Sequence, residues 1–174
     1  MRIKREVKIS FKQIFSNLAV YGTVHALVDL VSAIVLFGLL TTQIINITEF
    51  VQLAILYNIL AFGLQFIFGY FIDWVKKPKI FAIISLGLLM ISVFFIKISP
   101  ITAVVFVGLG NALFHVAGGT ISLNLTPKKA TAPGIYVAPG ALGLFIGTLI
   151  GKNIHSSYLY VLPIILFSII AILL

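Results

Sequence analysis

Runs of about 20 apolar residues, separated by short polar stretches, recur along this chain and leave it little choice of fold. A helix of that length crosses a hydrocarbon core while satisfying its own backbone, which an open sheet or irregular segment cannot do. Six such runs fit into the 174 residues, at about 18–40, 50–72, 80–96, 101–123, 134–151 and 158–174. With 61% hydrophobic and 9% charged residues, the chain has too little polar surface for a water-soluble domain. The reading is an all-α integral membrane protein: a basic amphipathic cytoplasmic segment over 1–17, then a six-helix bundle over 18–174. The absence of cysteine excludes disulfides and thiolate metal sites.

A net charge of +8 would suit a nucleic-acid partner, but its distribution argues against one. Arg2, Lys4, Arg5, Lys8 and Lys12 precede the first run. Lys76, Lys77 and Lys79 follow the second, and Lys128 and Lys129 follow the fourth. Only Lys97 and Lys152 fall on the other side. That positive-inside bias puts both termini in the cytoplasm of a multi-pass protein of the cell membrane. Trp74, Tyr70, Tyr158 and Tyr160 lie near run ends, where amphipathic rings favour the interface. In residues 1–17, Ile3, Val7, Phe11, Ile14 and Phe15 recur at helical spacing, as a helix on the anionic leaflet or as a solvated tail. The third and sixth runs are nearly featureless and suit a lipid-facing helix.

Two polar turns interrupt this pattern. His25 and Asp29 sit one helical turn apart in the first run, and Asn111 and His115 in the fourth. Burying an ionisable group at mid-membrane costs a few kcal/mol, so such residues face a bundle interior or an aqueous cavity. Asp29 lies near the middle of its run with His25 about 6 Å nearer the cytoplasm. The fourth run travels the opposite way, so Asn111 is level with Asp29 and His115 with His25. Tyr21 and Ser32 extend the first polar stripe, Gly108, Gly118 and Ser122 the second. One shared compartment between the first and fourth helices accounts for this arrangement. The alternative for Asp29 is a structural hydrogen bond to His25 or Asn111. Asn58 and Gln65, two turns apart in the second run, are candidate cavity residues or interhelical hydrogen-bonding groups.

The two turns are offset by 86 residues, about half the chain. Three helices followed by three helices form an inverted repeat, here about 18–97 and 101–174, because an odd number of crossings reverses direction. Such repeats with binding groups near the midplane characterise secondary transporters. In the fifth run, Gly140, Gly143, Gly147 and Gly151 make a smooth stripe for another helix, with Pro139 as an expected bend.

Gly69-Tyr70-Phe71-Ile72-Asp73, followed by Lys76, Lys77 and Lys79, resembles the loop between helices two and three of the major facilitator superfamily. Gly108-Leu109-Gly110-Asn111-Ala112-Leu113-Phe114-His115 and His25…Asp29 are most similar to its fosmidomycin-resistance-type drug-efflux members. Pro139-Gly140…Gly143 resembles the glycine-proline motif of helix five in the antiporters. Lys76 stands where the loop motif usually has Gly, and the helix-four arginine of many proton antiporters has no counterpart. The resemblance spans nearly the whole chain but only the amino-terminal six-helix half of the family. It implies a gate at the inner end formed by Gly69, Asp73, Lys76 and Lys77.

The expected function is secondary transport of a small molecule, with proton-coupled efflux carried by Asp29, His25, His115 and Asn111. Desolvation favours the neutral form of a carboxyl group, which makes Asp29 the expected proton carrier. Six helices supply one wall of an alternating-access cavity, so a second copy or a separately encoded second half is expected as partner. The rival is a non-transporting interaction subunit or a transporter remnant, which the end at Leu174 would fit. Two His, one Asp and one Asn are also ligand types for Zn²⁺ or Ni²⁺. Because i,i+4 pairs recur often without metal, divalent-metal transport is a lesser alternative and no metal ligand or cofactor is assigned. Nucleophile-elbow, phosphate-loop and paired-carboxylate patterns are absent, so no enzymatic role is expected. In this cysteine-free chain, Lys77→Cys should react with a membrane-impermeant maleimide only in permeabilised cells, and Thr48→Cys in intact ones. The opposite labelling would overturn the assigned orientation.

Overall fold

A computed structural model of the chain describes residues 10–42 and 46–153, together with Ile165 and Ile169. All its regular structure among those residues is helical. Helix α1 (Phe11–Thr42) begins at a reciprocal cap. Ser10 Oγ accepts from the Gln13 backbone N–H at 3.2 Å, and Gln13 Oε1 accepts from the Ser10 N–H at 3.0 Å. At 32 residues α1 is about 48 Å long, well beyond a hydrocarbon core of about 30 Å. Residues 11–17 are thus its first turns, continuous with the span, and Phe11 and Phe15 there are exposed.

The second span is built in three pieces: α2 (Ile47–Asn58), a π-helical turn (Ile59–Gly63) and α3 (Gln65–Val75). Asn46 caps α2 by accepting from the Thr48 N–H at 2.8 Å. Helix α3 closes at Lys76, whose backbone is left-handed (φ 58°, ψ 30°) and whose N–H donates to Ile72 O at 2.7 Å. A conformation that favours glycine is thus taken by lysine at the end of α3. Helices α4 (Pro78–Phe95) and α5 (Pro100–Leu125) each open on a proline, whose missing N–H would have lacked a partner there anyway. Helix α6 (Thr131–Gly151) runs on through Pro139.

Among the described residues, five helical spans are therefore long and apolar enough to cross a membrane, and the chain is a multi-pass helical membrane protein. The sixth expected span, 158–174, lies outside the described residues except for Ile165 and Ile169, both helical.

Helices α1 and α5 are the interior pair, and the other spans cover them. Helix α5 admits three neighbours through three glycines. An added Cβ at Gly108 would lie 2.8 Å from Leu60 Cβ in the π turn, and one at Gly110 would lie 2.9 Å from Ser85 O on α4. At Gly118 it would lie 2.7 Å from the Tyr136 ring on α6. Ser85 and Ser92 tolerate the apolar α4–α5 interface because each hydroxyl donates within its own helix, to Ala82 O at 2.6 Å and Leu89 O at 2.7 Å. The opposite face of α4, with Ile80, Ile84, Ile91 and Phe94, is exposed.

Helix α6 lies parallel to α1, its glycine stripe against Ala26, Leu30, Ala33 and Phe37. A Cβ at Gly143 would fall on the Ala26 carbonyl, and one at Gly147 would lie 2.8 Å from Leu30 Cα. Backbone meets backbone here, so no flexible side chain can yield. Gly143→Ala is expected to separate α1 from α6 and lower stability by about 1–3 kcal/mol, read as a fall in the thermal midpoint in detergent. Gly134→Ala, where an added methyl meets open space, should be neutral or slightly stabilising. Equal effects of the two would refute the close-approach argument.

Candidate functional site

The two polar turns meet between α1 and α5. Because the helices are antiparallel, residues ascending α1 face residues descending α5: His25 opposes His115, and Asp29 and Ser32 oppose Asn111. His115 Nε2 lies 2.9 Å from Asp29 Oδ1 and 3.1 Å from His25 Nε2. His25 Nε2 is in turn 3.3 Å from Asp29 Oδ2. The Asn111 amide donates to Asp29 Oδ1 at 2.9 Å and to Ser32 Oγ at 3.2 Å, while the Ser32 hydroxyl donates to Val28 O at 2.8 Å. His25 and Asn111 are buried, whereas the side chains of Asp29 and His115 keep 14% and 22% exposure. Among these four residues, the carboxylate and the second histidine are thus the groups that keep some exposed surface.

Helix α6 fixes the remaining face. Tyr136 O accepts from His25 Nδ1–H at 2.9 Å, which settles the tautomer, since a carbonyl can only accept. The Tyr136 ring stacks on the His25 imidazole with centroids 4.6 Å apart and planes 12° apart. Its hydroxyl donates to Phe114 O at 3.3 Å and approaches His115 O at 3.4 Å. One side chain thus ties α6 to both polar helices. One turn on, Gly140 presents bare backbone to the cluster, and a Cβ there would lie 2.6 Å from His25 Cε1. Any larger residue would displace the imidazole or the carboxylate.

With its Nδ1–H held by Tyr136 O, a neutral His25 turns its Nε2 lone pair toward His115 and Asp29. His115 Nε2–H can then donate to Asp29 Oδ1 with His25 Nε2 beside it, while His25 Nε2 and Asp29 Oδ2 stand at ion-pair distance. The cluster thus sets a carboxylate between two imidazoles at the middle of two membrane-length helices. Asn111 Oδ1 is buried without a hydrogen-bond partner among the described residues, an acceptor left open beside the cluster.

The other candidate residues are distributed differently. Tyr21 is buried on α1, one turn before His25. Asn58 is exposed and Gln65 half-buried, and their side-chain amides donate to Ala54 O at 2.7 Å and Ala61 O at 2.9 Å in their own span. They flank the π turn rather than touch the cluster. Gly69 faces Val116 on α5, and exposed Asp73 and Lys76 line a cavity of about 360 Å³ with Thr120 and Asn124, at the far end of α3. Lys77 is exposed beside them. The Pro139 ring packs near Gly22 of α1, and Gly143 belongs to the stripe against α1. A second cavity, of about 580 Å³, lies at the opposite end of the bundle, bordered by Glu49.

Sequence reasoning missed Tyr136 and Phe62. Tyr136 stands four residues before Gly140, at the head of the glycine stripe, so its facing was available from helical spacing. Phe62, whose ring meets the His115 ring edge-on at 6.5 Å, owes its position to the π turn, which no spacing in the sequence announces. No protein-family model, curated protein or solved structure matches this chain.

Asn111→Leu leaves Asp29 Oδ1 without its amide donor in a largely dry site and is expected to cost about 1–3 kcal/mol. Asn58→Leu, at a self-satisfied exposed position, should stay within about 0.5 kcal/mol. Thermal unfolding in detergent compares the two, and parity between them would count against Asn111 as a support of the carboxylate.

Proposed function

We propose that this protein is a secondary active transporter of a small solute, with protons bound and released at the His25–Asp29–His115 cluster. The observation that carries the reading is the convergence of a carboxylate and two imidazoles at mid-span, closed by α6 on one side and open through His115 on the other. A purely structural hydrogen bond would need one partner for Asp29, yet three polar side chains, His25, His115 and Asn111, meet it. Intramembrane ionisable groups in such a setting mark ion or proton pathways.

Further support comes from the antiparallel pairing of the two polar turns. His25…Asp29 and Asn111…His115 are related as the two halves of an inverted repeat would relate them, near the midplane where transporters bind substrate. The resemblance to the amino-terminal half of major facilitator drug-efflux proteins fits the same picture, including the left-handed turn at Lys76. On this reading the bundle is one wall of the cavity, and a second copy or a separately encoded half supplies the other. Asp73, Lys76 and Lys77 gate the cytoplasmic end, Pro139 and Gly140 accommodate the motion, and the protein lies in the cell membrane with both termini inside.

The test is reconstitution of the purified chain into liposomes carrying an internal pH dye. An imposed pH gradient should dissipate through the protein, and Asp29→Asn, which keeps the shape of the side chain, should slow that movement about 100-fold, as losing a positioned proton-transfer group does. Dissipation that is absent, or indifferent to Asp29→Asn, would overturn the transport reading and favour the interaction-subunit alternative.

A further inference from the structure

We propose that His25, Asp29 and His115 form a binding site for a divalent transition-metal ion of the Zn²⁺ class. His115 Nε2 stands 2.9 Å from Asp29 Oδ1 and 3.1 Å from His25 Nε2, and His25 Nε2 stands 3.3 Å from Asp29 Oδ2; with one ligand atom taken from each residue, the three lie within 4.8 Å of one another. Ligands at about 2.0–2.2 Å from a tetrahedral zinc are separated by about 3.3–3.6 Å. Rotation of the Asp29 carboxylate, with small movements of the two rings, would bring one donor from each residue onto three corners of that tetrahedron and leave the fourth for water or an exchanging ligand. Two imidazoles and one carboxylate are the donor set that suits Zn²⁺, Ni²⁺ or Co²⁺ rather than Ca²⁺ or Mg²⁺.

Two features set this cluster apart from a chance i,i+4 pair. The first is the tautomer. With Nδ1–H held by Tyr136 O, neutral His25 directs its Nε2 lone pair at the centre of the cluster, and a backbone carbonyl is a usual outer partner of a metal-bound imidazole. The second is support of the carboxylate, since Asn111 donates to Asp29 Oδ1 and so orients it, as hydrogen-bonded carboxylate ligands are oriented. Gly140 keeps the volume beside both groups free of side chain. The exposure of Asp29 and His115 supplies an entry path.

Metal and the bridging protons use the same lone pairs, so one excludes the other. Resting on the transport reading, this makes a divalent transition cation the solute class that the cluster selects. The binding claim itself stands apart from transport, and the experiment keeps the two distinct. Titrating the purified full chain in detergent with Zn²⁺ by calorimetry, and with Co²⁺ by its visible absorption, should give one ion per chain and the bands of a four-coordinate nitrogen–oxygen site. His115→Gln, at the accessible edge of the cluster, should weaken binding by more than about 100-fold with helix content unchanged, and Asn111→Ala by about 10-fold to 100-fold. No binding, or binding that His115→Gln and His25→Gln leave intact, overturns the metal site, whatever the liposomes report. If His115→Gln fails to fold, the loss of Co²⁺ bands in Asn111→Ala decides the matter. Metal binding without pH-driven movement would instead sink transport and leave the site standing.

Discussion

A carboxylate in the middle of a membrane-length helix must be met by other polar groups, and the arrangement of this bundle follows from how Asp29 is met. Its two oxygens are divided between two histidines, one from its own helix and one from α5, and Asn111 adds an amide donor. That division requires α1 and α5 to lie antiparallel with a set rotation about their axes. It also requires a third helix close enough to hold the His25 ring, which is the part played by Tyr136 on α6.

Glycine makes that density of contact geometrically possible. Side chains on α1 and α5 already fill the space between the polar groups, so the helices that flank them can approach only where they carry no Cβ. Gly140, Gly143 and Gly147 bring α6 onto α1, and Gly108, Gly110 and Gly118 receive the π turn, α4 and Tyr136 on α5. In a bilayer, where lipid chains are as apolar as leucine, close packing of this kind is itself a main source of association between helices. The same stripe thus holds the bundle together and shapes the wall of the polar cluster.

Much of this is legible in the order of residues. Apolar runs of span length, the side of each loop that carries lysine and the i,i+4 placement of His25 with Asp29 and Asn111 with His115 are local quantities, read with the helical period and rise alone. Facing and depth follow from them. The bend to π geometry at Ile59–Gly63 was not legible, because its composition is that of an ordinary apolar helix and its position answers to Gly108 across the interface. Nor did the amides of Asn58 and Gln65 reveal that each would turn back to a carbonyl of its own span.

By itself the sequence determined that the chain crosses a membrane repeatedly and that two polar turns sit at matching levels, because hydropathy and helical rise act on neighbouring residues. Tertiary packing alone decided that those turns converge on both oxygens of one carboxylate, which tautomer His25 adopts, and that Tyr136 and Gly140 enclose them. Those outcomes depend on rotations and approach distances between helices up to 111 residues apart, and such quantities exist only once the surfaces are in contact.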